Sequence, residues 1–200
     1  MFRTPDHIGI IPDGNRRWAV KNGLDKHEGY LFGLAPGVEL LRTARERGIK
    51  ELTYYGFTAD NCKRPKRQVE AFSSACRRAV ELMLGEGASV FVAGNVNSEM
   101  FPKELLKFTK REERTEKIRV NLLVNYGWEW DMKNGWASRE IPRIDMVIRW
   151  GGMCRLSGFL PIQTVYSDFY IVKDLWPDYK KAHFKSALDW YSRQDITLGG

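Results

Sequence analysis

The sequence predicts an α/β fold, in which an open, mainly parallel six-stranded sheet is flanked by helices. Short β-like apolar runs alternate along the chain with longer segments of helical period, which is typical of a parallel sheet with helical crossovers. The chain has 200 residues, so we expect one domain over residues 1–200. A hydrophobic fraction of 43% with 28% charged residues is ordinary for a folded protein with a real core.

Six apolar runs predict the strands. They read, in chain order, IGIIP, ELTYYGF, SVFVAGN, IRVNLLVNY, DMVIRW and DFYIVK. All six are short and rich in aliphatic and aromatic residues, which favours strands buried in a sheet.

Four segments between and after these runs predict helices. LAPGVELLRTARERG and RQVEAFSSACRRAVELMLGEG are amphipathic and stop at Gly48 and Gly85. EMFPKELLKFTKREERTEK predicts a more polar third helix that opens after Pro102, and YKKAHFKSALDWYSRQ predicts a fourth. The segment GWEWDMKNGWASREIPR has little periodicity, and we expect a loop there.

The net charge of +7 and the pI near 9.3 favour an anionic partner, namely phosphate, nucleic acid or an anionic membrane surface. No recognised nucleic-acid-binding motif accompanies the charge, so we expect no nucleic acid and at most peripheral membrane contact. The three cysteines (Cys62, Cys76 and Cys154) are widely spaced and predict neither a disulfide framework nor a metal site. With no apolar run near the ~18 residues of a membrane span, we expect a cytoplasmic protein.

Polar side chains follow three of the predicted strands. Ligands of open α/β sheets lie at the carboxyl ends of the strands, where these residues are expected to meet. They are Asp13, Gly14, Asn15, Arg16 and Arg17 after the first strand, Thr58, Asn61 and Arg64 after the second, and Arg149, Arg155 and Ser157 after the fifth.

The chemistry of this rim suits a polyanion. The planar guanidinium group of arginine can donate hydrogen bonds to two oxygens of one phosphate. An aspartate among the arginines would repel the same anion unless a cation lies between them, so Asp13 is a candidate Mg²⁺ ligand. An alternative explains the pattern as well: Asp13 is a turn or N-cap residue, and the arginines form surface ion pairs.

Four stretches carry a resemblance to a known family. HIGIIPDGNRRWAVKNGL, YYGFTADNCKRP, VNYGW and RWGGMCRLSGFLPIQTVYSDFYIVKDLWPDY occur in the order and spacing of the cis-prenyltransferases. That family lengthens allylic diphosphates by joining them to isopentenyl diphosphate. The resemblance implies the cis-prenyltransferase fold, prenyl diphosphate substrates, a Mg²⁺ cofactor and a homodimer.

The resemblance also implies roles for individual residues. Asp13 matches the aspartate that handles Mg²⁺ and the leaving diphosphate, and Asp168 stands where the family often has a glutamate near the metal. Thr58, Asn61 and Arg64 match a group that positions the second substrate and takes part in removing its proton. The residues matched to binding the two substrates are Gly14, Asn15, Arg16, Arg17, Trp18, Lys26, Tyr30, Arg149, Arg155 and Ser157.

Several positions depart from the family pattern. Tyr30 replaces a histidine, Cys62 a tryptophan, Trp150 a small residue and Met153 an acidic one. The changes at Trp150 and Met153 predict an altered second-substrate site. Ordinary condensation with isopentenyl diphosphate and irregular head-to-middle condensation of two allylic diphosphates therefore both stay open. A non-catalytic partner subunit is disfavoured because Asp13 and the arginines are kept.

Product length and assembly are predicted from apolar residues. A tunnel for the growing chain is expected to be lined by Gly56, Ala71, Ala75, Met83 and Phe91, although apolar residues at helical spacing are more often plain core. The link from Asn125 to Asp145 is shorter than the insertion that the family carries there. A dimer is expected to be held by residues including Phe159, Tyr166, Phe169 and Trp190. The tail with Asp195, Ile196, Thr197 and Leu198 is expected to contribute little.

Overall fold

Six strands form one sheet in the order β3-β4-β2-β1-β5-β6 in the computed structural model, which describes residues 3–112 and 115–195. Every neighbouring pair of strands is parallel, which confirms the predicted fold class. The sheet was predicted to be mainly parallel and is parallel throughout. The strands are β1 (His7–Ile11), β2 (Glu51–Thr58), β3 (Ser89–Ala93), β4 (Arg119–Tyr126), β5 (Met146–Arg149) and β6 (Asp168–Ile171).

The segments that connect the strands contain helices, which pack against the sheet. Three short 3₁₀ helices span Ala59–Lys63, Lys103–Phe108 and Trp176–Asp178. The α-helices are α1 (Asn15–Lys21), α2 (Gly29–Phe32), α3 (Leu34–Glu46), α4 (Lys66–Gly85), α5 (Trp128–Lys133) and α6 (Lys181–Tyr191).

The predicted third helix is wrong. The predicted loop over residues 127–143 is wrong at Trp128–Lys133 and is confirmed over residues 134–143, which form neither helix nor strand. Between 99 and 112 only the 3₁₀ helix Lys103–Phe108 forms, and Leu105 is its one buried residue, so this segment has little apolar surface with which to hold a longer helix. The predicted loop begins with α5, because Asp131 on that helix is buried and accepts a hydrogen bond from the Tyr126 hydroxyl (2.7 Å). The short helices α1 and α2 are too polar or too short to give a periodic signal.

Two apolar clusters hold the two faces of the sheet. One face packs against α3, α4 and α6 and contains the fully buried Trp150, Trp176 and Phe184. The other face contains Tyr126 and Phe159, and a side chain on Gly9 would overlap the Phe159 ring. Phe159 is therefore core, and its predicted place in a dimer interface is wrong.

The chain beyond Asp195 lies outside the described residues, and with it the predicted tail residues Ile196, Thr197 and Leu198. Among residues 3–112 and 115–195, none of the helices has both the length and the apolar character needed to cross a bilayer.

Candidate active site

A cavity of about 810 Å³ opens at the carboxyl ends of β1, β2 and β5. Its inner wall is a stripe on one side of α4, spaced so that the side chains project in the same direction: Phe72, Ala75, Cys76, Ala79 and Met83. The strand β2 supplies the opposite wall with Tyr54 and Gly56. The mouth is polar and the interior is apolar.

Three of the five predicted tunnel residues lie on this cavity. Gly56, Ala75 and Met83 line it. Ala71 is off the α4 stripe, and Phe91 packs in the cluster on the other face of the sheet because alternate residues of a strand face opposite ways. The prediction for Ala71 and Phe91 is therefore wrong.

Asp13 and Arg149 form the centre of the polar mouth. Arg149 Nη2 donates to Asp13 Oδ2 (2.8 Å), and Arg17 Nη2 lies 3.4 Å from Asp13 Oδ1. The Arg149 side chain is only 4% exposed, whereas that of Asp13 is 34% exposed. The carboxylate thus sits between two guanidinium groups and remains open to the cavity.

The loop that follows β5 folds over Arg149. Arg149 Nη1 donates to the Arg155 carbonyl and to Ser157 Oγ (3.0 Å). Arg17 Nη1 donates to the Gly151 carbonyl (3.0 Å), and Gly151 has a φ of 87°. A side chain there would be strained and would also overlap Arg17. Glycine at this position lets the loop approach α1.

The turn between β1 and α1 places a second set of polar groups at the mouth. Gly14, with a φ of 114°, precedes the helix and allows the chain to reverse direction. Asn15 Nδ2 donates to the Pro12 carbonyl (3.1 Å), which holds this turn in place. The residues 13–17 line the cavity together with the exposed Lys26.

Thr58, Asn61 and Arg64 lie together after β2, as predicted, and all three line the cavity. The Asn61 backbone N–H donates to Thr58 Oγ1 (3.2 Å), and Asn61 Nδ2 donates to the same oxygen. Arg64 Nη1 donates to the Tyr30 hydroxyl (2.9 Å), and the Tyr30 ring packs on Phe72 with centroids 4.4 Å apart.

Three predicted residues are placed elsewhere. The Arg155 side chain is exposed and does not line the cavity, and the residue contacts Arg149 through its carbonyl. Trp18 Nε1 donates to Asp178 Oδ1 (2.7 Å), which gives it a packing role beside the site. Asp168 pairs in register with Met146, at the amino end of the sheet, and forms an ion pair with Arg3 (3.0 Å).

Asp168 is thus separated from Asp13 by the length of β5, at least about 10 Å at ~3.3 Å per residue. Within one chain, Asp168 therefore lies too far from Asp13 for the two carboxylates to bind the same metal ion. Among the described residues, there is no group of three His, Cys, Asp or Glu side chains that could hold a metal ion.

Several polar atoms at the mouth are buried without a hydrogen-bond partner in the described residues: Asn15 Oδ1, Arg16 Nε and Arg149 Nε. A buried donor that lacks a partner costs free energy, so such groups are rare in proteins. Two of the three are guanidinium donors. These two donors, on Arg16 and Arg149, are available for hydrogen bonds to a ligand at the mouth.

Some of the cavity residues carried no usable sequence signal. Tyr54 and Tyr55 lie within the apolar run of β2, and Trp176 lies in a short 3₁₀ helix, so all three looked like ordinary core. Trp150 faces the core with its ring centroid 4.8 Å from that of Trp176. Trp150 does not line the cavity itself, whereas its neighbours Arg149 and Trp176 do.

The fold and the site together define a class of protein: a parallel α/β protein with an arginine-rich mouth above an apolar cavity. The family model of undecaprenyl diphosphate synthase (Prenyltransf) matches residues 11–140 and 132–199. An isoprenyl transferase of Thermotoga maritima is 34% identical over 231 aligned positions, which cover 100% of this chain and 98% of the relative. A tritrans,polycis-undecaprenyl-diphosphate synthase (geranylgeranyl-diphosphate specific) of Aeropyrum pernix is 30% identical, and the match covers 98% of each chain.

Among solved structures, lavandulyl diphosphate synthase from Lavandula x intermedia, in complex with dimethylallyl diphosphate, has the same fold. The TM-score is 0.81 at 23% identity, with 98% of this chain and 99% of that chain covered. The chain belongs to the undecaprenyl diphosphate synthase family of prenyltransferases.

Proposed function

We propose that the protein condenses an allylic prenyl diphosphate with isopentenyl diphosphate and releases diphosphate. The observation that carries this proposal is the position of the Asp13–Arg149 pair at the mouth of the apolar cavity. A diphosphate group would lie among the guanidinium groups at the mouth, and a prenyl chain would lie along α4.

The residues of the mouth have distinct tasks in this reaction. Arg16 and Arg17 stabilise the negative charge that grows on the departing diphosphate, which lowers the barrier to breaking the allylic C–O bond. The double bond of isopentenyl diphosphate attacks the allylic carbon as the C–O bond to the leaving diphosphate breaks. The new cation then gives up a proton to an oxygen of a bound diphosphate. Arg149 and Ser157 hold the diphosphate of this second substrate.

Thr58 acts as a hydrogen-bond donor in this proposal. Its Oγ1 accepts two hydrogen bonds from Asn61, which occupy both lone pairs of the hydroxyl. Its own proton is then directed to another acceptor, and the oxygens of the bound diphosphate are the strongest acceptors that the site would contain. Asn61 therefore orients Thr58 and leaves it unsuited to accept a proton.

Asp13 fits a Mg²⁺ ion of the kind held by one carboxylate and substrate phosphates. The carboxylate is partly exposed at the cavity mouth, and no all-protein cage of ligands exists in the described part of the chain. Mg²⁺ bound there would supply Lewis-acid assistance to the leaving diphosphate.

We also propose a cytoplasmic homodimer. The three cysteines are free, which agrees with a reducing compartment. Ile162, Val165 and Tyr166 precede the edge strand β6 and are 41%, 65% and 58% exposed, so they could be covered by a second copy.

The test is to incubate the protein with Mg²⁺, an allylic diphosphate and either isopentenyl or dimethylallyl diphosphate, and to identify the products after phosphatase treatment. A linear product that requires isopentenyl diphosphate supports the proposal. A branched product from dimethylallyl diphosphate alone would show irregular head-to-middle condensation instead. No product from any pair, with diphosphate still bound, would favour a non-catalytic subunit.

A further inference from the structure

The loop that closes over Arg149 has a strained backbone. Between residues 151 and 160, Gly151, Gly152 and Gly158 have positive φ, but so do two residues with side chains, Ser157 (φ 53°) and Leu160 (φ 36°). A residue other than glycine is strained in this conformation and keeps it only where its surroundings hold it. Ser157 thus needs a restraint that fixes its backbone.

Tyr55 supplies that restraint from a different strand. Its hydroxyl donates to the Ser157 carbonyl (2.9 Å), while Arg149 Nη1 donates to Ser157 Oγ (3.0 Å). One residue is therefore held at its backbone by Tyr55 and at its side chain by Arg149. The hydrogen bond also connects β2 to the loop after β5.

The Tyr55 ring is itself fixed by packing. Its centroid lies 5.2 Å from that of Phe159 and 6.3 Å from that of Tyr126, and the residue is 9% exposed. Burial also raises the pKa of the Tyr55 phenol far above its ordinary value, so it stays a neutral donor at physiological pH.

We propose that Tyr55 is a positioning residue for the second diphosphate. It holds Ser157 in the left-handed conformation in which Ser157 Oγ and the Arg149 guanidinium face the ligand together. This inference rests on the proposed function, since it assigns the loop after β5 to the isopentenyl diphosphate. It predicts a selective effect on that substrate.

The test is the variant Tyr55→Phe, which keeps the ring and removes the hydroxyl. The KM for isopentenyl diphosphate should rise about tenfold, while kcat and the KM for the allylic diphosphate change less than about twofold. Direct calorimetric titration with isopentenyl diphosphate should show the same loss of affinity. The matched control is Tyr126→Phe, which removes a buried hydroxyl that bonds Asp131 and not the loop, and should leave both KM values unchanged.

A double-mutant cycle separates positioning through Ser157 from a direct contact with the ligand. In a Ser157→Ala background, where Arg149 has already lost its Oγ partner, Tyr55→Phe should add less than about twofold. Fully additive losses would overturn the inference, as would equal effects of Tyr55→Phe and Tyr126→Phe. If the parent chain has no turnover, the proposed function fails, and the titrations still decide the role of Tyr55.

Discussion

The two ends of the sheet differ in how their polar side chains are hydrogen-bonded, although the same strands form both ends. At the amino ends lies a network, here called the amino-end network, of His7, Glu51, Thr53, Arg111 and Asn121. Asn121 Nδ2 donates to Glu51 Oε1 (2.6 Å) and Thr53 Oγ1 (2.8 Å), and Arg111 donates to Glu51 Oε2 (2.8 Å) and Asn121 Oδ1 (2.9 Å). His7 Nε2 contacts Thr53 Oγ1 at 2.7 Å. Its charges and polar groups are matched inside the protein.

At the carboxyl ends the matching is incomplete. Asp13 faces both Arg149 and Arg17, so positive charge is in excess, and the Nε atoms of Arg16 and Arg149 are buried without partners in the described residues. A fully matched network stabilises the fold, whereas an unmatched one has capacity left for a ligand. The difference predicts that substitutions at the two ends will affect different measured quantities.

The largest effect is expected from Asp13→Asn. The amide oxygen can still accept from Arg149, so the melting temperature should stay within a few degrees of the parent. Loss of the carboxylate that would bind Mg²⁺ should lower kcat/KM by at least about a thousandfold. The measurements are steady-state kinetics with Mg²⁺ and thermal unfolding.

Asp168→Asn is the matched control, because Asp168 lies at the amino end and pairs with Arg3. Its activity should stay within about twofold of the parent. Retention of more than a few per cent of activity in Asp13→Asn, or a comparable loss in Asp168→Asn, would contradict the assignment of the site to the carboxyl end.

The next prediction exchanges an arginine at each end for methionine. Arg149→Met should raise the KM for the second substrate about 10- to 100-fold, because it removes a charge-assisted contact to the ligand. It should lower the free energy of unfolding less than Arg111→Met, because the Asp13 carboxylate that it leaves is 34% exposed and keeps Arg17. Arg111→Met should leave kinetics unchanged but lower the free energy of unfolding by about 3 kcal/mol, since it leaves the buried Glu51 carboxylate unpaired. Chemical denaturation and kinetics on both variants check this. The same phenotype from both variants would remove the distinction between the two ends.

The sequence predicted the carboxyl-end site better than the amino-end network. The predicted site residues follow the strands as clusters of polar side chains. The rule that ligands of open α/β sheets bind at the carboxyl ends of the strands is enough to predict where these residues meet. His7, Glu51 and Asn121 are single polar residues inside apolar runs, and only the register, in which His7 lies beside Glu51 and Thr53 beside Asn121, brings them together. The directions of single side chains could not be predicted from the sequence either, as the exposed Arg155 and the core-facing Trp150 illustrate.

A smaller effect is expected from acid on the amino-end network. Burial lowers the pKa of His7 below its ordinary 6.5, against the opposing charges of Glu51 and Asp145, so His7 is neutral in the folded protein. The unfolded chain takes up this proton more readily, and the stability that neutral His7 contributes is present above pH 6.5 and lost as the pH falls below it. The free energy of unfolding, measured from pH 7 to 5, should fall less steeply in His7→Asn than in the parent. Equal slopes would show that His7 does not carry this dependence.

The smallest effect is expected from Arg155→Ala, which tests whether a residue at the carboxyl end matters by its position or by its contacts. The Arg155 carbonyl accepts a hydrogen bond from Arg149, and alanine keeps that carbonyl. The exposed guanidinium attracts anions only through long-range electrostatics across solvent. The KM for the second substrate should therefore rise about two- to threefold at low salt and less at 0.5 M salt, because screening weakens an exposed charge. The measurement is KM at two ionic strengths beside Arg149→Met. A salt-independent loss as large as that of Arg149→Met would mean that the Arg155 side chain turns inward onto the bound ligand, and that the open mouth gains a further arginine when it closes.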